Sequence, residues 1–326
     1  MPRVRGLVRA RTSGPGWTRR RAGRGFVYLD EDGTRIDDPE VVERLKALVL
    51  PPAWRDVWFA PDPRSHILAT GVDDAGRRQY VYHPRWVEAH DRAKHARTLE
   101  LAERLPQVRR RVTRDLRAEP GSLERALAVA VRLVDSTHLR VGSERHTAAT
   151  GNRGLTTLLC EHVRVEEGVV TLEFRGKSGQ VWHTRTVDED LADAVASLLE
   201  RRSPRARLLA RREGRSWRPV RASDVNRYIQ EISGTACTAK DFRTLHGSII
   251  AARELARIGW SPDERERTRT VRAAVVRTSE LLGNTPAVAK SSYIDPAILD
   301  RFHASELIDL HRGDANAYLT LMRGGE

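Results

Sequence analysis

The sequence has little cysteine, little lysine and no long apolar run. Its two cysteines, Cys160 and Cys237, lie far apart and neither belongs to a CxxC pair. That argues against a disulfide scaffold and a cysteine-ligated zinc site, and suits a reducing cytoplasm. No stretch reaches the roughly 18 uninterrupted apolar residues that a spanning helix needs, so no membrane span is expected. The first 25 residues contain neither Asp nor Glu and no apolar core, and Gly14, Pro15 and Gly16 interrupt them. They read as a basic N-terminal arm able to lie along phosphates, not as a targeting peptide.

What is present is positive charge. Of 57 basic side chains only five are lysines, Lys46, Lys94, Lys177, Lys240 and Lys290, and the formal net charge is +13. A surplus of that sign draws a chain towards polyanions, nucleic acid before anionic membrane. With 326 residues, 40% of them hydrophobic, two domains and at least one real core are within reach.

Up to about Trp86 the chain is short-period and punctuated. GRGFVYLDEDGTRI reads as strand, turn, strand, and HILATGVDDAGRRQYVYHP as a second hairpin around Asp73 to Gly76. From Val87 the texture becomes helical, broken by Pro106, Pro120-Gly121, Gly142, Gly259 and Gly283. The expected fold is therefore α+β: a small β-rich N-terminal domain with its basic arm over residues 1–84, then a larger, mainly helical domain over 85–326. Within the latter, Val169 to Phe174 and Gln180 to Val187 form a hairpin with Lys177 at its tip.

Several residues could carry chemistry. In TAKDFRTLHGSIIAARELARIG, Phe242, Leu245, Ile249, Ala252 and Ala256 mark one buried helical face, Gly259 closes the helix, and Thr238 with Asp241 resembles an N-cap pair. Lys240 and Arg243 then share a face of the first turn, where amide groups and two cations can converge on one phosphate, or simply be solvated. A second helix runs from Leu123 to about Asp135 and leaves Arg140 in the turn before Gly142, either a surface charge or a ligand. RGKSG fails as a nucleotide loop, because position 171 is Thr where Gly is required and a strand follows where a helix is needed. Lys177 remains a solvated turn residue or a proton donor reaching a bound duplex. Tyr293, one of six tyrosines, follows Asn284 by nine residues and is by itself packing or nucleophile.

In order and spacing, Arg140, Lys177, Lys240 with Arg243, Asn284 and Tyr293 resemble the type IB DNA topoisomerases of poxviruses and bacteria. The matching segments are HLRVG, GLTTLLCEHV, FRGKSG, KDFRT and NTPAVAKSSYIDP, and GRRQYVYHPRW is similar to that family's first domain. The resemblance spans about Phe26 to Pro296 and implies a helical catalytic domain shared with tyrosine recombinases. It implies that Tyr293 attacks the scissile phosphate and is linked to the 3′ end, that Arg140 and Arg243 bind the non-bridging oxygens, and that Lys177 protonates the departing 5′ oxygen. Gln79, Tyr80 and Tyr82 would face DNA from the first domain, and Lys240 and Arg145 from the second. Asn284 stands where many relatives have His; an amide donates a hydrogen bond but does not titrate, so its role would be binding the transition state.

The activity so implied is relaxation of supercoiled duplex DNA without ATP or metal, by a monomer closing as a clamp in the cytoplasm on the nucleoid. Two rivals predict other outcomes. A site-specific tyrosine recombinase would carry His where this chain has Lys240 and a helical first domain. A non-catalytic architectural DNA binder would bind in a salt-sensitive way and form no covalent adduct.

Overall fold

The computed structural model describes residues 4–200 and 203–324. Residues up to Lys94 form one compact unit and those from His95 onwards a second.

The first unit holds β1 (Trp17–Ala22), β2 (Gly25–Leu29), α1 (Pro39–Lys46), β3 (Arg55–Phe59), β4 (Ile67–Val72) and β5 (Arg78–Tyr82). The strands form one antiparallel sheet in the order β2-β1-β3-β4-β5. Tyr28, Leu45, Val57, Phe59 and Ala69 make its core. The hairpin around Asp73 is where the sequence puts it, with Val72 opposite Arg78.

The first hairpin is not. Gly25–Leu29 pairs upstream with Trp17–Ala22 through a turn at Gly23 (φ 57°), and Arg35 reaches Leu29 only by an isolated bridge. Part of the expected basic arm is therefore strand. Arg19 explains how: its guanidinium donates to the Pro51 carbonyl at 2.6 Å and lies 4.1 Å from the Phe26 ring centroid. A cation that covers an aromatic face and caps a carbonyl can occupy an inward position, so the charge hides the strand alternation.

Helix α2 (Pro84–Leu116) carries the chain into the second unit. Pro106 lies inside it and does not break it, contrary to the sequence reading. Leu101, Leu105, Val108, Val112 and Leu116 are all buried on one stripe that continues past the proline. The lost hydrogen bond costs about 3 kcal/mol, and each such side chain returns roughly 1.5–3 kcal/mol on burial.

The second unit continues with α3 (Leu123–Thr137), α4 (Glu144–Thr150), β6 (Val163–Glu166), β7 (Val169–Arg175), β8 (Val181–Val187) and α5 (Glu189–Leu199). Then come β9 (Ala210–Glu213), β10 (Ser216–Pro219), α6 (Ala222–Ser233), α7 (Ala239–Ile258) and α8 (Glu264–Leu282). Three short helices close the chain, α9 (Pro286–Ser292), α10 (Pro296–His303) and α11 (Asp314–Arg323). The expected Lys177 hairpin is β7 and β8, extended by β6 into a three-stranded antiparallel sheet. Helix α7 is central: Phe242, Leu245, Ile249 and Ala252 are buried as the spacing requires, and so are Thr244, His246 and Ser248 on its other sides.

Two glycines fix the backbone after α3. A Cβ on Gly142 (φ 77°) would lie 2.8 Å from the Gly154 Cα, and one on Gly154 would lie 2.9 Å from the Arg140 carbonyl oxygen. This close passage lets Leu155 N and Thr156 N donate to the Arg140 and Val141 carbonyls, both at 2.9 Å. Gly142→Ala is expected to lose roughly 2–5 kcal/mol in chemical denaturation, from left-handed strain plus backbone clash. An unchanged midpoint would contradict this packing.

Candidate active site

The site grows from the end of α8. Helix termini leave carbonyls without intrahelical partners, and the C-terminal end carries partial negative charge. Gly283 caps α8 in the left-handed conformation (φ 55°), and its carbonyl with that of Leu282 faces inward to two arginines. Arg243, from the first turn of α7, donates to the Leu282 carbonyl at 2.7 Å and to the His138 carbonyl. Arg140, just past α3, donates to the Gly283 carbonyl at 3.2 Å and to Asn284 Oδ1. Asn284 Nδ2 and Arg243 Nε are buried and have no hydrogen-bond partner among the described residues.

Tyr293 ends α9 and lies over this cluster, its ring centroid 5.0 Å from the Arg243 Cζ. Gly247 lets it approach: a Cβ there would lie 2.7 Å from the Tyr293 carbonyl oxygen and 3.0 Å from its Cβ. Ser248 Oγ holds the following backbone, accepting from Asp295 N at 2.9 Å. Burial by itself raises the Tyr293 phenol, but the charge and hydrogen bond of Arg243, then Arg140 and Lys240, bring it below its ordinary value. Arg243 is itself lowered, by burial first and then by Arg140, to about 10, and so stays cationic at neutral pH.

Behind Arg243 lies a buried network. His138, left-handed at φ 57°, lies against His246 with ring centroids 4.4 Å apart and planes tilted by 36°. His246 Nε2 is 2.9 Å from Asp135 Oδ1, and Arg109 Nε donates to Asp135 Oδ2 at 2.7 Å. Burial, then His246 and Arg243, push His138 down to about 3, so its ring is neutral. A neutral ring adds no further positive charge beside Arg243, which donates to the His138 backbone carbonyl.

The structure thus brings together Arg140, Arg243, Asn284 and Tyr293, with Lys240 exposed nearby. Lys177 is exposed on a one-turn helix at the β7–β8 tip and lines with Arg140 a cavity of about 200 Å³ that also includes Ser143, Asn152, Arg153 and Trp182. Arg145 is exposed on α4, outside that cavity lining. In the first unit Tyr80 and Tyr82 stack with centroids 6.0 Å apart on the exposed face of β5. Gln79 is on the opposite face, its amide donating to Asp73 at 2.8 Å, because adjacent strand residues point to opposite sides. Among the described residues no group of three or more His, Cys, Asp or Glu is arranged to hold a metal ion, and no helix is long and apolar enough to cross a membrane.

Residues 83–305, the stretch holding the whole cluster, match the model of the eukaryotic DNA topoisomerase I catalytic core, and residues 25–73 match that of the bacterial DNA topoisomerase IB N-terminal domain. The chain belongs to the type IB DNA topoisomerase family. It is accordingly an enzyme of the type I topoisomerase class, and the recombinase and architectural readings gain no support. It is similar to DNA topoisomerase 1B of Acanthamoeba polyphaga mimivirus, at 28% identity over 91% of this chain and 90% of that one. DNA topoisomerase 1 of Rabbit fibroma virus is 24% identical over 89% and 93% of the two chains. The mitochondrial DNA topoisomerase I of Rattus norvegicus matches at 29% over 48% of this chain and 27% of its own.

In this family member the supporting residues were not legible from sequence. Asp135, His138 and His246 sit at the end of one helix and in the middle of another, where nothing marks them as neighbours. Gly247 was the available signal, since a helix-interior glycine costs about 1 kcal/mol against Ala unless something needs the space. The cluster predicts an early tyrosine in ultraviolet titration. Tyr293 should ionise below the ordinary value of about 10, while burial pushes Tyr228 and Tyr318 up. Tyr293→Phe should remove that phase and Arg243→Gln should move it upward, because burial is then opposed only by Arg140 and Lys240. A titration unchanged by Tyr293→Phe would contradict the assignment.

Proposed function

We propose that the protein relaxes supercoiled duplex DNA with Tyr293 as nucleophile. The observation that carries this reading is the convergence of Arg140, Arg243 and Asn284 on Tyr293 at the end of α8. A phenol with a pKa of about 10 is a weak nucleophile at neutral pH, and fixed guanidinium groups both favour phenolate and stabilise charge gathering on phosphoryl oxygens.

In the proposed reaction the Tyr293 phenol releases its proton to water, its oxygen bonds to phosphorus, the bond to the 5′ oxygen breaks, and that oxygen takes a proton from Lys177. Arg140 and Arg243 bind the two non-bridging oxygens, and the unpartnered Asn284 Nδ2 donates a further hydrogen bond. The 3′-phosphotyrosine conserves the bond energy, the free 5′ strand rotates, and attack by the 5′ hydroxyl reverses each step. Neither ATP nor a metal ion enters. Lys240 and Arg145 would contact the phosphate backbone, and Tyr80 and Tyr82 the duplex from the first unit, with Gln79 reaching it only by leaving Asp73. The enzyme would act as a monomeric clamp on DNA in the cytoplasm.

Relaxation of supercoiled plasmid with EDTA present and no ATP is expected for the native chain and absent for Tyr293→Phe. Lys177→Ala should slow cleavage by about 10²–10⁴-fold, the usual contribution of a general acid. Full activity of Tyr293→Phe would overturn the proposal.

A further inference from the structure

Trp182 lies between the two halves of the site. It is the inward residue of β8 opposite Phe174, close to the Lys177 turn. A Cβ on Gly176 would lie 2.5 Å from the indole Cδ1, and one on Gly283 would lie 2.5 Å from its Cζ2. The pyrrole edge therefore rests on the backbone just before Lys177, and the benzo edge on the backbone just before Asn284. Gly176 has φ −98°, open to any residue, so what requires glycine there is the indole and not the chain conformation. Gly283 must cap α8 and also accept the ring.

The rest of the turn is light. Gly176 N donates to the Gln180 carbonyl at 2.8 Å and Gly179 N to the Gly176 carbonyl at 3.1 Å, both within the turn itself. Trp182 touches both the turn and the α8 cap, and it borders the cavity shared by Arg140 and Lys177 as well as a second one beside Glu280, Leu281 and Gly283.

We propose that Trp182 is a positioning residue for proton transfer: a wedge that registers the Lys177 turn against the α8 cap, and so against Asn284 and Arg140. This rests on Lys177 as the proton donor of the proposed reaction. Its role is mechanical, because the indole packs on the backbone just before Lys177 and just before Asn284. Misplacement of a catalytic group by about 1 Å costs about 10²-fold in rate, so loss of the wedge should appear in the step that needs Lys177.

The test uses the full-length protein and duplexes carrying either the natural oxygen or a sulfur at the 5′ bridging position of the cleaved linkage. A thiolate leaves without a proton, so a defect in proton donation is suppressed by sulfur and a defect in nucleophile or phosphate binding is not. Trp182→Ala is expected to cleave the oxygen duplex about 10²-fold more slowly and the sulfur duplex within about threefold of native. Gly176→Ala, which keeps an allowed backbone but displaces the ring, should behave the same way, and native circular dichroism of both variants at the assay temperature separates a misplaced turn from an unfolded chain. Lys177→Ala is the reference. If sulfur does not rescue Lys177→Ala, the proton-donor role falls and this proposal with it. If sulfur rescues Lys177→Ala but neither Trp182→Ala nor Gly176→Ala, or if both variants cleave the oxygen duplex at the native rate, Trp182 has no such role.

Discussion

The interaction on which the site depends is the capture of two arginines by the carbonyls that end α8. A helix must satisfy its last carbonyls somewhere, and here Leu282 and Gly283 offer theirs to Arg243 and Arg140. The glycine cap turns the chain at once, so that Asn284 meets Arg140 and α9 returns Tyr293 over Arg243. One helix end thereby fixes the cations, the amide and the phenol relative to one another.

That arrangement is electrostatically incomplete. Neither Arg140 nor Arg243 forms an ion pair among the described residues; their acceptors are neutral oxygens. Burying like charges side by side costs energy, which appears as the lowering of Arg243 by burial and by Arg140. The same unspent charge depresses Tyr293 against its own desolvation. An anion placed between them would relieve the arginines and meet the nucleophile, which is how a site built for a phosphodiester differs from a structural salt bridge. Behind it, the Arg109, Asp135, His246 and His138 network spends its carboxylate on the far side, so that it orients Arg243 without neutralising it.

Much of this was written in the sequence because it is local. Helix α7 follows from Phe242, Leu245, Ile249 and Ala252, its start from Thr238 and Asp241, and the end of α8 from Gly283. The order of Arg140, Lys177, Arg243, Asn284 and Tyr293 carried the family resemblance. What was not legible is non-local or disguised. Trp17–Ala22 looks like a solvated arm because arginines occupy its strand positions, and Pro106 looks like a break because the stripe that holds α2 together is satisfied by distant partners. Gln79 reads as a neighbour of Tyr80 and Tyr82, whereas pleating sends it to the other face. The need for glycine at 176, and the second demand on Gly283 beyond capping α8, depend on an indole that the folded chain brings to both.

The central claim is that the chemistry runs through Tyr293 and the 3′ phosphate. The most direct measurement is proteolysis and mass spectrometry of the covalent complex trapped by denaturant on duplex DNA labelled separately at each end. A single DNA-linked peptide containing Tyr293, joined to the 3′ phosphate and leaving a free 5′ hydroxyl, is the predicted result. A linkage to another residue, or to a 5′ phosphate, would contradict it.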